Sequence, residues 1–267
     1  MKALRYILPL IVIAIVIGIW IWQYNTPEGL EQRDMVKGLL IIAAAILSIF
    51  RRPRTLSVTQ IPSYRKAYAE FVEDAFSTDS KLEHKFFDAV HDYNRNRLSR
   101  ALKKLENLRQ ECTNSADIRA ISVFTALCLD DMRLYDKAME QYRYALNIRP
   151  NSTLYSNIGL CHIRLGQFSE AEVAFRNAIA MDERNPYPLN NLSAMFFRQG
   201  DYTQALDYAL QAIQIDANMP HALSTAAICY GLLGDTEQYE LYYRRAVTAG
   251  CDGKTIKSTV AKLNPHS

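Results

Sequence analysis

Apolar residues in the last two thirds of the chain recur at steps of three and four, in blocks of about 12–15 residues split by short polar turns, which predicts paired amphipathic helices. The blocks themselves repeat. Gly166, Gly200 and Gly234 lie 34 residues apart, the small residues Gly159, Ser193 and Ala227 keep that step ahead of them, and Ala178, Ala212 and Ala246 keep it after them. A further unit precedes these one residue out of phase, with Ala126, Tyr135, Ala138, Tyr142, Ala145 and Pro150 in the matching places. A period this long predicts a solenoid of helix pairs. In the unit starting at Ser152, a first helix is predicted from Thr153 to Leu165 and a second from Ser169 to Met181. Gly166 suits the left-handed turn between them. Gly159 and Ala171 are small enough for close approach, with Phe168 and Phe175 filling the space around the contact.

The run Asn157-Ile158-Gly159 followed by Gly166, Phe168, Ala171, Phe175 and Ala178 resembles the tetratricopeptide repeat, as does Asn191-Leu192-Ser193 followed by Gly200, Tyr202, Ala205 and Ala212. The resemblance covers residues 119–250 as four repeats. Arg133 departs from it where other units carry the turn glycine, and Tyr239 departs where they carry a small alanine, so less regular edges are expected there.

The first part of the chain is patterned differently. Ile7 to Trp22 is apolar except for Pro9 and Gly18, and with the residues back to Leu4 it is long enough to cross a bilayer. Trp20, Trp22 and Tyr24 cluster at one end as interfacial aromatics. Gln23-Tyr24-Asn25 is too bulky for a signal-peptidase site. A second apolar run, Met35 to Phe50, reaches only ~24 Å as a helix, which suits a short span tilted beside the first or a re-entrant segment. Lys2 and Arg5 precede the first run, and Arg51, Arg52 and Arg54 follow the second. Positive flanks face the cytoplasm, so a hairpin with both termini inside is expected.

The fold expected is therefore all-α: an N-terminal transmembrane helical hairpin followed by an α-solenoid of tetratricopeptide-like helix pairs. The hairpin takes residues 1–52, with spans at about 4–22 and 35–50. Residues 53–63 read as a linker, with Leu56, Val58 and Ile61 too sparse for a core. Residues 64–118 read as a helical segment holding a degenerate repeat: one helix from Tyr64 to Phe76, a break and cap at Ser77-Thr78-Asp79-Ser80, then Lys81–Asn94 and Leu98–Cys112 as a pair. Residues 251–267 read as a capping helix and tail covering the apolar end of the solenoid.

Charge follows the same division. Residues 1–66 hold 9 Lys and Arg against 3 Asp and Glu, and the remainder holds 22 against 25. The mildly acidic body lacks the concentrated basic surface that nucleic acid needs, so nucleic acid is excluded. Cys128, Cys161 and Cys229 occupy one place in their repeats, with Met195 in the fourth, as apolar packing does. Five cysteines without a framework suit a reducing compartment. His84, Asp88 and His91 share a helix face, but without a fourth ligand they read as a solvated surface. No metal site and no cofactor are expected. No nucleotide, zinc or nucleophile motif is present, so no catalysis is expected.

The first helices carry a second stripe beside the face that packs within each unit. Leu160 and Ile163 form it in one unit, flanked by Ser156, Asn157 and Arg164. Tyr187, Asn190, Asn191, Ala194, Phe197 and Arg198 form it in the next, then His221, Ser224, Thr225 and Ile228. The resemblance implies that first helices line a concave groove and that this stripe grips an extended or helical peptide. Side-chain amides satisfy both donor and acceptor of a peptide backbone, and guanidinium suits carboxylate. The competing reading is ordinary polar helix surface, with Leu160 and Phe197 packing between units. The lysine clamp of the family's co-chaperones is not evident, so that activity is not carried over. The expected protein is a scaffold at the cell membrane, with two spans. It would contact the lipid bilayer through residues 4–50 and bind a protein or peptide partner with cytoplasmic repeats. The alternative is an assembly or quality-control factor for membrane complexes that also uses its spans.

Overall fold

The computed structural model describes residues 60–263, so the spans expected at about 4–22 and 35–50 lie outside the described residues. Within the described residues no helix is long and apolar enough to cross a membrane.

The described chain is helical throughout. Two short helices, α1 (Ile61–Ala67) and α2 (Ala69–Val72), lead into five helical hairpins. These are α3 (Ser80–Asn94) with α4 (Leu98–Glu111), and α5 (Ser115–Asp131) with α6 (Tyr135–Ile148). Then come α7 (Ser152–Arg164) with α8 (Phe168–Met181), α9 (Pro186–Gln199) with α10 (Tyr202–Ile215), and α11 (Pro220–Leu233) with α12 (Thr236–Thr248). A last helix, α13 (Gly253–Leu263), packs on α11 and α12 and buries Ile256.

Each hairpin turns in the same way. One residue adopts a positive φ: Asn96 (56°), Arg133 (62°), Gly166 (76°), Gly200 (82°) and Gly234 (82°). The residue after it donates its backbone N–H back to the first helix: Arg97 to Asp92, Leu134 to Leu129, Gln167 to His162, Asp201 to Phe196 and Asp235 to Tyr230, at 2.9–3.0 Å. This six-to-one bond caps the orphan carbonyls of the helix end. The irregular edge expected at Arg133 is therefore absent, because the turn bonds hold an arginine in a conformation that glycine adopts without strain. The hairpin of α3 and α4 makes the same turn through Asn96, a residue tolerant of left-handed backbone. Four of the five first helices begin with a capping side chain, Asp79, Asn114, Asn151 or Asn185, each accepting a backbone N–H, and α11 begins after Met219 without one.

Packing within a hairpin follows from side-chain size. Phe175 is fully buried, and a Cβ built on Gly159 would meet its ring at 2.7 Å. Tyr239 finds room because Gly231 faces it, with Val260 of α13 beside both. Cys128, Cys161 and Cys229 are fully buried and Met195 nearly so, as apolar packing requires. Burial pushes these three thiols up to about 12 from an ordinary value near 9. The sign of the pH effect follows. Above the ordinary thiol range the unfolded chain ionises while the folded core does not, so stability falls as pH rises from 9 towards 12. Thiol labelling of the full-length protein at pH 8 should modify the half-buried Cys251 first and spare Cys128, Cys161 and Cys229 until unfolding. Labelling of all five at one rate would refute this packing.

The segment ahead of α3 departs from the single helix expected between Tyr64 and Phe76. It begins earlier, so that Ile61, read as linker, is a buried residue, and it breaks at Tyr68. Side chains take over its backbone bonds. Arg65 donates to the carbonyls of Val72 and Ala75, both at 3.0 Å, and Arg119 to those of Glu70 and Phe71. The Phe76 N–H donates to the buried carboxylate of Asp117 at 2.6 Å instead of continuing a helix.

Candidate functional site

The residues two places before the small residue of each first helix share one register: Phe87, Phe124, Asn157, Asn191 and Thr225 precede Ala89, Ala126, Gly159, Ser193 and Ala227. They define one face across the array. Over the first two hairpins the chain covers that face itself. Tyr64 stacks on Phe87 with ring centroids 6.4 Å apart, and its hydroxyl lies 2.8 Å from Nδ1 of the buried His91. Four residues on, Tyr68 sets its ring edge-on against Phe124 at 4.9 Å and donates to the Asn94 side-chain oxygen at 2.6 Å. Arg65 pairs with Glu83 at 2.7 Å, and Arg149 pairs with Glu73 and Asp74 at 2.9 Å each. A short helical segment thus lies along the first helices, anchored by aromatic contacts and ion pairs.

This arrangement corrects the surface reading of His84, Asp88 and His91. His91 is buried under Tyr64, and Asp88 pairs with Lys104 at 2.6 Å. Among the described residues no cluster of histidine, cysteine and carboxylate side chains is arranged to hold a metal ion.

From Asn157 onward the same face is uncovered among the described residues. Asn157, Asn190 and Asn191 are half-buried, and their amides make no hydrogen bond among the described residues. Tyr187 is 66% exposed, Ala194, Arg198 and His221 are exposed, and Ser224 and Thr225 are half-buried. The Thr225 hydroxyl donates to the His221 carbonyl within its own helix. Arg164 is exposed, pairs with Asp130 and lies over the Tyr135 ring. Leu160, Ile163 and Phe197 pack partly into the core between units while keeping some exposure, so the two readings of these positions coexist. Two stripe residues are not on the surface. Ser156 is buried and donates to the Ser152 carbonyl, and Ile228 is buried against the α12 and α13 side of the core. A stripe assigned by spacing alone drifts at its edges into the helix–helix contact.

The fold and this face define an all-α helical repeat solenoid of tetratricopeptide type. Residues 151–218 match the tetratricopeptide repeat family model. Among solved structures, the chain is similar to the Pseudomonas aeruginosa pilF protein at 17% identity, covering 70% of this chain and 86% of that one with a TM-score of 0.58. It is also similar to a MamA RS-1 double mutant, at 12% identity over 65% and 96% with a TM-score of 0.55. A third is YrrB, described as a TPR protein with an unusual peptide-binding site, at 17% identity over 74% and 96% with a TM-score of 0.50. Identities this low carry the fold alone. A comparison with curated proteins returned no match.

Proposed function

We propose that this protein is a non-catalytic scaffold, anchored in the cell membrane by residues 4–50, whose uncovered first-helix face recruits a protein or peptide partner in the cytoplasm. One observation carries the binding assignment: the chain's own segment from Tyr64 to Phe76 already lies on the equivalent face of the first two hairpins. A helical peptide continuing along that track would meet Asn157, Asn191 and Thr225 in place of Phe87 and Phe124. The unpaired amides of Asn157, Asn190 and Asn191 offer it both donors and acceptors. Arg198 favours a carboxylate beside the track, whereas Arg164 is already paired with Asp130. Two apolar runs with arginines after the second support the anchor and the cytoplasmic side.

Photo-crosslinking in cells, with the reactive group at Tyr187 of the full-length protein, tests this reading. A discrete adduct should form and be lost with Asn157→Ala/Asn191→Ala, while Glu172→Ala on a second helix leaves it intact. Adduct formation indifferent to both amides would remove the face from consideration. Reporter fusions after Glu31 and Asn264 address the membrane side: external activity at Glu31 and internal fluorescence at Asn264 are expected, and an externally active fusion at Asn264 would overturn the topology.

A further inference from the structure

The second helices carry a different feature, set by a register that the first-helix face does not share. In two successive hairpins, a ring near the end of the first helix meets a ring on the second helix. Phe196 stacks on Tyr208 with centroids 5.5 Å apart and planes 4° from parallel. One period later Tyr230 meets Tyr242 at 5.2 Å. One period earlier, the same two places hold His162 and Ala174. The second ring is missing, and the backbone does not close over the space. A cleft of about 430 Å³ remains there, lined by α6, α7 and α8. Its walls are Leu146, Tyr155, Ile158 and Val173, the last 59% exposed, and its base is Ala174, 6% exposed.

The polar rim repeats as well. Arg176 of α8, which pairs with Glu172 at 2.6 Å, stands beside Tyr208. The residue one unit earlier is Arg143 of α6, which lines the cleft, is exposed, and makes no hydrogen bond or ion pair among the described residues. His162 is held in place by a 2.7 Å bond from its ring to the Gln167 side chain, with its imidazole where the Phe196 ring lies in the next unit. The cleft thus keeps the floor, the stacking surface and the cationic rim of a site whose own tyrosine is replaced by alanine.

We infer that the cleft between α6 and α8 is a binding slot for a tyrosine side chain of a partner protein, its ring against His162 and Ala174 and its phenol oxygen facing Arg143. The chain itself points to the occupant: Tyr208, one period on and stacked on Phe196, shows which ring fits, and Arg143 stands free at the rim of the empty place. At the rim the free guanidinium donates to the phenol oxygen, a hydrogen bond strengthened by the donor's charge; the walls are mainly apolar and favour an aromatic body, with Ser169, Glu170 and Asn177 completing the lining. This slot lies apart from the Asn157 and Asn191 face and does not depend on it.

The test is titration of the full-length protein, methyl-labelled at isoleucine, leucine and valine, with N-acetyltyrosinamide, and in parallel with N-acetylphenylalaninamide. Tyrosinamide should shift Leu146, Ile158 and Val173 selectively and bind more tightly than the phenylalanine analogue. Arg143→Ala should weaken tyrosinamide about tenfold, which corresponds to ~1.4 kcal/mol, and leave the phenylalanine analogue unchanged. Ala174→Tyr should fill the slot and abolish the shifts, while Asn157→Ala/Asn191→Ala leaves them intact. Should Ala174→Tyr fail to fold, the wild-type titration and Arg143→Ala decide alone. Shifts absent from the slot, or equal loss of both ligands on Arg143→Ala, would overturn the assignment.

Discussion

Gly159→Val should lower the melting temperature of the full-length protein more than any substitution at a turn glycine. Even a Cβ at this position would lie 2.7 Å from the Phe175 ring, and that ring is fully buried and cannot swing aside. Overpacking of this kind costs about 1–3 kcal/mol and occasionally more; the ring and the helix backbone both resist here, so roughly 3 kcal/mol or more is expected. Gly200→Val is the comparison. Gly200 has φ 82° but open space around it, so its penalty is confined to the backbone, on the order of 1–3 kcal/mol. Asp201→Ala should fall below both, through loss of the cap that Asp201 places on the Gln204 N–H. Melting curves of the three variants decide the order. Equal melting of Gly159→Val and wild type would mean that α7 and α8 do not approach as closely as described.

Phe124→Ala should have an effect of similar size and a different signature. Phe124 is fully buried and meets three rings: Tyr68 at 4.9 Å, Phe86 at 5.3 Å and Tyr93 at 5.9 Å. Truncating a buried phenylalanine costs about 3–5 kcal/mol. Tyr68 belongs to the segment lying on the first-helix face, so the loss falls on that segment as well as on the core. Hydrogen exchange should show the amides from Tyr64 to Phe76 losing protection, while those of α9 to α12 keep theirs, since repeats couple chiefly to their neighbours. Uniform loss of protection along the array would contradict a locally anchored segment.

The period and the turns are decided by local chemistry, and they could be read without the structure. A small residue where helices touch, an aromatic four residues after Ala171, and glycine at a left-handed turn each work within some 34 residues. Arg133 shows the limit of that reading. Its left-handed backbone is held by turn bonds that a residue type unsuited to the conformation conceals. Most of the stripe from Asn157 to Thr225 was likewise legible, because helical periodicity separates an outer face from an inner one. Ser156 and Ile228 lie buried at its border, since crossing angle and neighbouring helices decide which border positions are covered.

The sequence by itself determined a solenoid of helix pairs, the positions of its turns, and cysteines that pack as apolar residues. Only the tertiary structure decided that Tyr64 to Phe76 breaks into two helices on the first-helix face. Its backbone partners Asp117 and Arg119 lie some 40–50 residues away, and no local period encodes a contact between them. Only the tertiary structure, too, turned His162 and Ala174 from two unremarked residues into an open slot. A missing ring is visible only once the next unit shows Phe196 and Tyr208 in contact.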